Sequence, residues 1–310
     1  MEARDFRRNP RPGYLKKFVK LVLANYKLNM SNWIDRLAET YGERVVIYLD
    51  RPLDYGFFRG TDITYRDSLK FVNRIGNALL GLGVKPGDRV AMITTNRIEF
   101  AFCCFAVMKI GAIAVPLNAM YRSHEIRYVI ENSGAKVLIT DRAVYGAGIQ
   151  DPAQFPSIEK WVMLTREDLP PGFFSLADLM LKAREDLPPL PLSPDDIVGI
   201  FYTSGTTGLP KGAMLSNEGF SREVKGFARI SALFPGFLAN RFLGVYVTPL
   251  AHIMGYVVII AVFSGGNPSI FKTTFTPSDI LQTIQENQAT SFVGVPTMFR
   301  MLVAAGSDNS

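Results

Sequence analysis

The residues with the greatest capacity for chemistry lie in the segment YTSGTTGLPKG, at positions 202–212. It holds three glycines, three threonines, one serine and one lysine. An apolar run at residues 197–201 comes directly before it and predicts a buried strand. A glycine-rich loop that leaves a strand exposes successive backbone N–H groups, which form a concave site for anions. Hydroxyl groups and a lysine ammonium add further donors. The segment therefore predicts a site that binds a polyphosphate.

This segment is not a Walker A loop, because that pattern places glycine immediately before the lysine and serine or threonine immediately after it. Here Pro210 precedes Lys211 and Gly212 follows it. Proline has no N–H to donate and fixes its own φ, so we expect the chain to turn away instead of opening directly into a helix. The alternative is a polar surface loop without a ligand. The density of donors, the preceding strand and the lysine favour phosphate binding.

The composition is that of a globular protein. The chain has 310 residues, of which 48% are hydrophobic and 20% are charged, enough for one large or two medium domains. A net charge of +6 suits nucleotides, other acidic ligands or an anionic surface. The charge is diffuse, and no aromatic–basic repeat indicates nucleic-acid binding. The adjacent Cys103 and Cys104 predict buried thiols, and the two histidines, His124 and His252, belong to no cluster with metal-ligand spacing.

The first thirty residues predict a basic N-terminal arm, at residues 1–30. Residues 1–13 lack the apolar core of a signal peptide, which together with the predicted free thiols indicates a cytoplasmic protein. Within residues 15–26 the apolar positions follow i, i+3, i+4, i+7 spacing and the lysines fall mostly on the other face, so we predict an amphipathic helix. Two interpretations stay open: peripheral contact with an anionic membrane, or docking on its own domain.

Strands and helices alternate beyond the arm, which predicts an α/β fold with parallel-sheet lobes flanked by helices. Thr64 and Asp67 have the spacing of a capping box at the start of a helix. Asn96 and Ser123 are expected to cap two later helices, and residues 51–61 are expected to form a loop. Strands are predicted at residues 45–49, 90–94, 112–116, 136–140, 160–164, 197–201, 213–215, 243–248 and 291–295.

A proline-rich stretch at residues 150–194 is interpreted as a connection between two lobes. We divide the chain into the arm at 1–30, a first α/β lobe with this connection at 31–192, and the start of a second, incomplete lobe at 193–310. Residues 242–271 contain no Asp, Glu, Lys or Arg and have the length of a membrane span. Their prolines, glycines and histidine favour instead a strand, a turn and a buried helix.

The segment at 202–212 resembles the phosphate-binding signature of the adenylate-forming enzymes, which include acyl-CoA synthetases, the adenylation domains of peptide synthetases and luciferases. Other segments resemble motifs of this family in the family's order. The P-L-x-H segment of this chain and its Asn118 are most similar to acyl-CoA synthetases. Two positions differ: Ala251 replaces the aromatic residue that is common before the histidine, and Asn217 stands where histidine is frequent. The segments are ITYRD at 63–67, VMKIGAIAVPLN at 107–118, TPLAHIMG at 248–255 and VPTM at 295–298.

The resemblance implies two half-reactions: a carboxylate and ATP form an acyl-adenylate and pyrophosphate, and coenzyme A then displaces AMP. It implies that Lys211 contacts phosphate or fixes the loop, that the Thr207 hydroxyl lies beside a magnesium ion (Mg2+), and that His252 meets the substrate carboxylate. The alternative for His252 is a buried, hydrogen-bonded core residue. The implied phosphate-binding residues are Thr203, Ser204, Gly205, Thr206, Thr207, Gly208 and Lys211.

The later motifs of the family are absent from these residues, so the resemblance predicts a truncated part of the large N-terminal domain, with little activity of its own. The expected substrate is a fatty or other apolar acid, whose tunnel would be walled by residues 257–263 and 295–298. Two alternatives stay open. One is an acyl-AMP ligase that loads a carrier protein, and the other is an inactive nucleotide- or acyl-binding module.

Overall fold

Two β-sheets with helices on their faces organise the part of the chain that the structure describes. This computed structural model describes residues 29–149, 151–203, 209–232 and 242–307. The predicted α/β class is confirmed. The amphipathic helix predicted at 15–26 lies outside the described residues, as do positions 204–208 of the glycine-rich segment.

The strands follow the predicted positions closely, and three of them form pairs that the sequence pattern did not show. These are the hairpin partner at residues 59–64, an edge strand at 173–175 and a strand at 269–271, and the first strand also extends to residue 54. The strands are β1 (Val45–Asp54), β2 (Arg59–Thr64), β3 (Arg89–Ile93), β4 (Ile113–Pro116), β5 (Val137–Thr140), β6 (Lys160–Met163), β7 (Phe173–Ser175), β8 (Ile197–Thr203), β9 (Lys211–Ser216), β10 (Gly244–Tyr246), β11 (Ser269–Phe271) and β12 (Ser291–Val293).

The longer helices connect these strands, and short helical turns lie at residues 142–149 and 152–154. Among the described residues, no helix has the length and apolar character needed to span a membrane. The stretch at 242–271 instead forms a strand, a turn, a largely apolar helix and a second strand. The helices are α1 (Trp33–Tyr41), α2 (Tyr65–Gly81), α3 (Ile98–Lys109), α4 (Ser123–Ser133), α5 (Leu176–Lys182), α6 (Asn217–Ala232), α7 (Ile253–Gly265), α8 (Pro277–Asn287) and α9 (Pro296–Ser307).

The larger sheet has seven strands in the order β7-β6-β5-β3-β4-β8-β9. All neighbouring pairs are parallel except β8 and β9, which form an antiparallel hairpin at one edge. The central strands β3 and β5 are almost entirely buried, as is typical of parallel strands covered by helices on both faces. The smaller sheet has five strands in the order β12-β10-β11-β1-β2, and only its β1–β2 pair is antiparallel.

The predicted boundary between residues 192 and 193 does not coincide with a boundary between the sheets. Strands β1 and β2 precede it, yet they join β11 in the smaller sheet. Strands β8 and β9 follow it, yet they join β4 in the larger sheet. Each sheet therefore needs chain from both sides of position 192, and the lobe boundaries stay a prediction that the sheets do not follow.

Helix α3 lies at the centre of the core, and every one of its residues is buried. A helix that is apolar all round needs neighbours on every side, and α3 finds them in both sheets' core residues. Its Phe102 stacks on Phe71 of α2 with ring centroids 5.0 Å apart, and Phe105 lies 5.5 Å from Phe263 of α7. Both cysteines are free and buried here, as predicted, and burial raises the pKa of each thiol.

Three local predictions were wrong. Residues 51–61 form the end of β1, the turn of the hairpin and the start of β2 instead of a loop. Asn96 does not cap α3, because its side chain bonds to groups more than 150 positions away. Helix α4 starts at Ser123 itself, after Arg122, whose N–H donates to Glu125 Oε2 at 2.8 Å. Asn96 therefore bonds outside its own helix, and Ser123 is the first residue of α4 instead of its cap.

Candidate active site

The glycine-rich segment connects the two strands of an antiparallel hairpin. Thr203 and Lys211 are register partners at the end of the hairpin where the connecting segment lies. Residues 204–208, between them in the chain, lie outside the described part. Both flanking side chains are exposed, and Pro210 is buried. The structure therefore holds Lys211 directly across from Thr203, and no ion pair joins Lys211 to another residue that the structure describes. The chain turns back into a strand after the loop, as the proline predicted.

Tyr202 and Gly212 anchor this hairpin. They face each other across the strands, and a Cβ atom on Gly212 would lie 2.9 Å from the Tyr202 ring. Only glycine therefore lets the ring lie over the partner backbone. The Tyr202 hydroxyl donates a hydrogen bond to Asn132 Oδ1 of α4, at 2.7 Å. Burial, with a smaller effect of Tyr128, raises the pKa of Tyr202, so its hydroxyl stays a donor. These contacts fix the strand that enters the loop.

His252 occupies the N-cap position of α7, and its side chain is exposed. Its Nδ1 atom accepts a hydrogen bond from the Met254 backbone N–H at 3.2 Å. The backbone N–H of His252 donates to Pro249 O at 3.2 Å. An imidazole whose Nδ1 accepts carries its proton on Nε2. The Nε2–H group is then a donor at the surface, and the alternative of a buried core histidine is wrong.

The hairpin and the His252 helix are joined through a cluster of aromatic rings. Phe201 lies two positions before Thr203, and its ring centroid is 5.2 Å from that of Tyr256, one turn after His252. Tyr256 also contacts Phe220 of α6 at 5.5 Å. Burial raises the pKa of Tyr256 well above its usual value. Aromatic contacts of this kind are directional, so they set how α7 lies against the strand that carries the loop.

Asn96 ties the turn before His252 to both sheets. Asn96 Oδ1 accepts from the Leu250 N–H at 3.2 Å, and its Nδ2 donates to Val247 O at 3.2 Å and to Lys272 O at 3.4 Å. Asn96 follows β3 of the larger sheet, whereas the three partner groups follow β10 and β11 of the smaller one. One amide side chain therefore holds together the carboxyl ends of strands from two sheets.

Changing Asn96 to aspartate should loosen this turn. The substitution keeps the acceptor for Leu250 N but places a carboxylate oxygen against the Val247 and Lys272 carbonyl oxygens. We expect a loss of about 1–3 kcal/mol in the free energy of unfolding and faster hydrogen exchange at the Leu250 amide, measured by NMR.

The control for this change is Asn77→Asp. Asn77 Nδ2 also donates to two carbonyl oxygens, those of Arg184 and Asp186, at 3.0 and 2.9 Å, in an exposed setting. Water screens the new charge there, so the effect should be smaller and Leu250 exchange should not change. Equal losses for the two variants would contradict the role given to Asn96.

A cavity of about 170 Å³ lies between α7 and the smaller sheet. The helix contributes Val258, Ala261 and Val262, which fall within the predicted wall at 257–263. The sheet contributes residues of β10, β11 and β12. The other predicted wall, at 295–298, is not among the lining residues. The Tyr246 ring lines the cavity, and its hydroxyl donates to Gly255 O in the first turn of α7, at 2.6 Å.

Of the predicted site residues, the structure describes Thr203, Lys211 and His252, and Ser204, Gly205, Thr206, Thr207 and Gly208 lie outside the described part. Sequence reasoning missed the supporting residues Asn96, Tyr202 and Tyr246. One signal could have indicated the first two, because Asn96 and Tyr202 each stand at the carboxyl end of a predicted parallel strand, where sites in α/β folds form.

Comparison with known proteins identifies the family to which the chain belongs. The sequence model of the family described as "AMP-binding enzyme" matches residues 34–310. Curated relatives include a feruloyl-CoA synthase of Amycolatopsis (30% identical, covering 79% of this chain and 46% of the relative) and a crotonobetaine/carnitine–CoA ligase of Salmonella paratyphi A (29% identical, covering 89% and 52%). A solved long-chain-fatty-acid-CoA ligase of Archaeoglobus fulgidus superposes with a TM-score of 0.80 at 21% identity, over 91% of this chain and 55% of that one.

The fold is that of the N-terminal domain of adenylate-forming enzymes. The chain belongs to the AMP-binding enzyme family. It spans about half the length of the curated relatives it matches, 46% and 52% in the two cases above.

Proposed function

We propose that this chain is the phosphate- and acid-binding part of a ligase that activates a carboxylic acid with ATP and passes the acyl group to coenzyme A. One observation carries the proposal. The hairpin that bears the glycine-rich segment is held by the Phe201–Tyr256 contact against the helix whose N-cap is His252. Phosphate donors and a donor for a carboxylate therefore share one framework.

In the first half-reaction, a carboxylate oxygen attacks the α-phosphorus of ATP. The bond from that phosphorus to the bridging oxygen breaks, and pyrophosphate leaves. Donors fixed in advance stabilise the developing charge, and the loop amides, the hydroxyls of Ser204, Thr206 and Thr207, and Lys211 would supply them. In the second half-reaction, the thiolate of coenzyme A attacks the acyl carbon and AMP leaves.

Mg2+ fits this site as an ion that arrives with ATP. Within the described ranges, no cluster of three or more His, Cys, Asp or Glu side chains is arranged to hold a metal ion. Mg2+ is commonly held by substrate phosphates with few protein ligands, so the Thr207 hydroxyl beside the phosphates suits it. When bound, it offsets phosphate charge.

The substrate carboxylate would accept a hydrogen bond from His252 Nε2–H, with its tail directed toward the cavity under α7. A fatty or other apolar acid suits the valine and alanine side chains there. Such acids partition into membranes, so peripheral membrane contact through residues 15–26 belongs to the same proposal.

Binding of ATP with Mg2+ tests the phosphate site directly in the 310-residue chain. Lys211→Ala should weaken ATP binding about 10- to 100-fold, because a hydrogen bond to a charged group is lost. The matched control is Lys182→Ala, an exposed lysine of α5, which follows β7 at the opposite edge of the sheet. Isothermal titration calorimetry measures both, and equal affinities would contradict the assignment of Lys211.

Exchange of labelled pyrophosphate into ATP, dependent on a carboxylic acid, reports the first half-reaction. We expect little exchange from the 310-residue chain and clear exchange from a protein that extends it to the length of its relatives. His252→Ala and Thr207→Ala should depress that exchange. Acyl transfer to a carrier protein but not to coenzyme A would favour the acyl-AMP ligase. ATP binding without exchange in the longer protein would favour an inactive binding module.

A further inference from the structure

The floor of the cavity under α7, meaning the part formed by the amino ends of β10, β11 and β12, carries serine and asparagine side chains, whereas the helix side is apolar. Gly244 of β10 is in register with Ser269 of β11 on one side and with Ser291 of β12 on the other. Residues in register on neighbouring strands project to the same face of a sheet. All three line the cavity, so two serines flank a glycine in one row across its floor.

The Ser269 hydroxyl, beside the glycine of this row, is buried. Ser269 is 2% exposed and Asn267, which also lines the cavity, is 4% exposed. A Cβ atom on Gly244 would lie 2.8 Å from Ser269 Oγ. The hydroxyl oxygen therefore lies beside the space that the missing side chain of Gly244 leaves open. Ligand pockets are commonly apolar with a few placed polar groups that orient the ligand.

The polar floor lies far from His252. Strands β10 and β11 are parallel and α7 is the crossover between them, so α7 runs from the carboxyl ends of the strands back toward their amino ends. Val262, which lines the cavity, is ten positions after His252, about 15 Å along a helix. An extended chain advances about 1.3 Å per bond, so about 12 bonds cover this distance.

Resting on the proposed function, we infer that the cavity selects a carboxylic acid of about twelve carbons that carries a hydroxyl group at its far end. An extended acid with its carboxylate at His252 has the length to place its terminal hydroxyl beside Ser269 and Asn267. The cavity volume of 170 Å³ accommodates about six terminal carbon atoms, since a cavity of about 150 Å³ holds a benzene ring. A plain alkyl end would instead cover buried polar groups without bonding to them.

Calorimetric titration of the 310-residue chain with dodecanoate and omega-hydroxydodecanoate tests this inference without requiring catalysis. We expect the hydroxylated acid to bind about five- to tenfold more tightly, the effect of one buried hydrogen bond. Hexanoate and omega-hydroxyhexanoate should bind with affinities equal to each other, because their chains end short of the floor.

Ser269→Ala should remove the preference for the hydroxylated acid. Ser264→Ala is the matched control, since Ser264 is 1% exposed and does not line the cavity, and it should keep the preference. Gly244→Ala should weaken both twelve-carbon acids by filling the floor, and it locates the binding site if Ser269→Ala does not fold. Equal binding of the twelve-carbon pair, a preference that persists in folded Ser269→Ala, affinities for that pair that are unchanged in Gly244→Ala, or no binding of any acid would each overturn the inference.

Pyrophosphate exchange separates this inference from the proposed function. Selective binding of the hydroxylated acid without exchange in the longer protein would reject the ligase and leave the cavity assignment standing. Exchange that favours dodecanoate would support the ligase and reject the selectivity of the floor.

Discussion

Replacing Lys109 with methionine should lower the free energy of unfolding by about 3–5 kcal/mol. The Lys109 side chain is fully buried, and its Nζ lies 2.6 and 2.7 Å from the two carboxylate oxygens of Asp35 and 2.7 Å from Asn73 Oδ1. Burial raises the pKa of Asp35 and lowers that of Lys109, so each group needs the other in order to stay charged. Removing the lysine leaves a carboxylate and an amide oxygen without their donor.

Urea unfolding, followed by circular dichroism, measures this loss. The control is Lys136→Met, because Lys136 and Glu159 form an ion pair at 3.3 Å in which both side chains are at least half exposed. Exposed pairs contribute about 0–1 kcal/mol. The double variant Asp35→Leu/Lys109→Met removes both charges and should recover part of the loss. Similar losses of unfolding free energy for Lys109→Met and Lys136→Met would show that the buried pair stabilises the fold no more than an exposed pair does.

Gly255→Ala should destabilise the protein and displace His252. A Cβ atom at this position would overlap the Pro249 carbonyl oxygen and lie 2.7 Å from the carbonyl carbon. Both are backbone atoms, so the first turn of α7 must move away from the turn at 249–252. Overpacking of this kind costs about 1–3 kcal/mol. The shift would also lengthen the hydrogen bond from the Tyr246 hydroxyl to Gly255 O. Tyr246 lines the cavity, so the shape of the cavity would change as well.

Gly226→Ala is the matched control for this prediction. Gly226 lies within α6, and a Cβ atom there meets nothing within 4 Å. Alanine in place of glycine inside a helix stabilises by about 0.5–1 kcal/mol, so the same substitution should have opposite signs at the two positions. Urea unfolding gives the sign, and NMR chemical shifts of the His252 ring report its displacement. A stabilising Gly255→Ala with unchanged His252 shifts would contradict the prediction.

The sequence by itself determined the features that depend on neighbours a few positions away. The Thr64 and Asp67 capping box is confirmed, with Asp67 N–H donating to Thr64 Oγ1 at 3.0 Å and Thr64 N–H donating to Asp67 Oδ2 at 3.1 Å. The strand before the glycine-rich segment and the strand after it were both predicted. Apolar spacing, caps and prolines act within one element, so a linear pattern is enough to show them.

The tertiary structure alone decided which elements meet. Each sheet contains strands from both sides of the predicted lobe boundary. Strand pairing uses backbone groups that every sequence has, so the sequence pattern did not show which strands pair. Asn96 has the pattern of a helix cap, yet it bonds to Val247 O, 151 positions away. The polar floor of the cavity arises from Gly244, Ser269 and Ser291, which become neighbours only by register. No periodicity in the chain records such contacts, so the support of His252 and the shape of the acid pocket had to come from the fold.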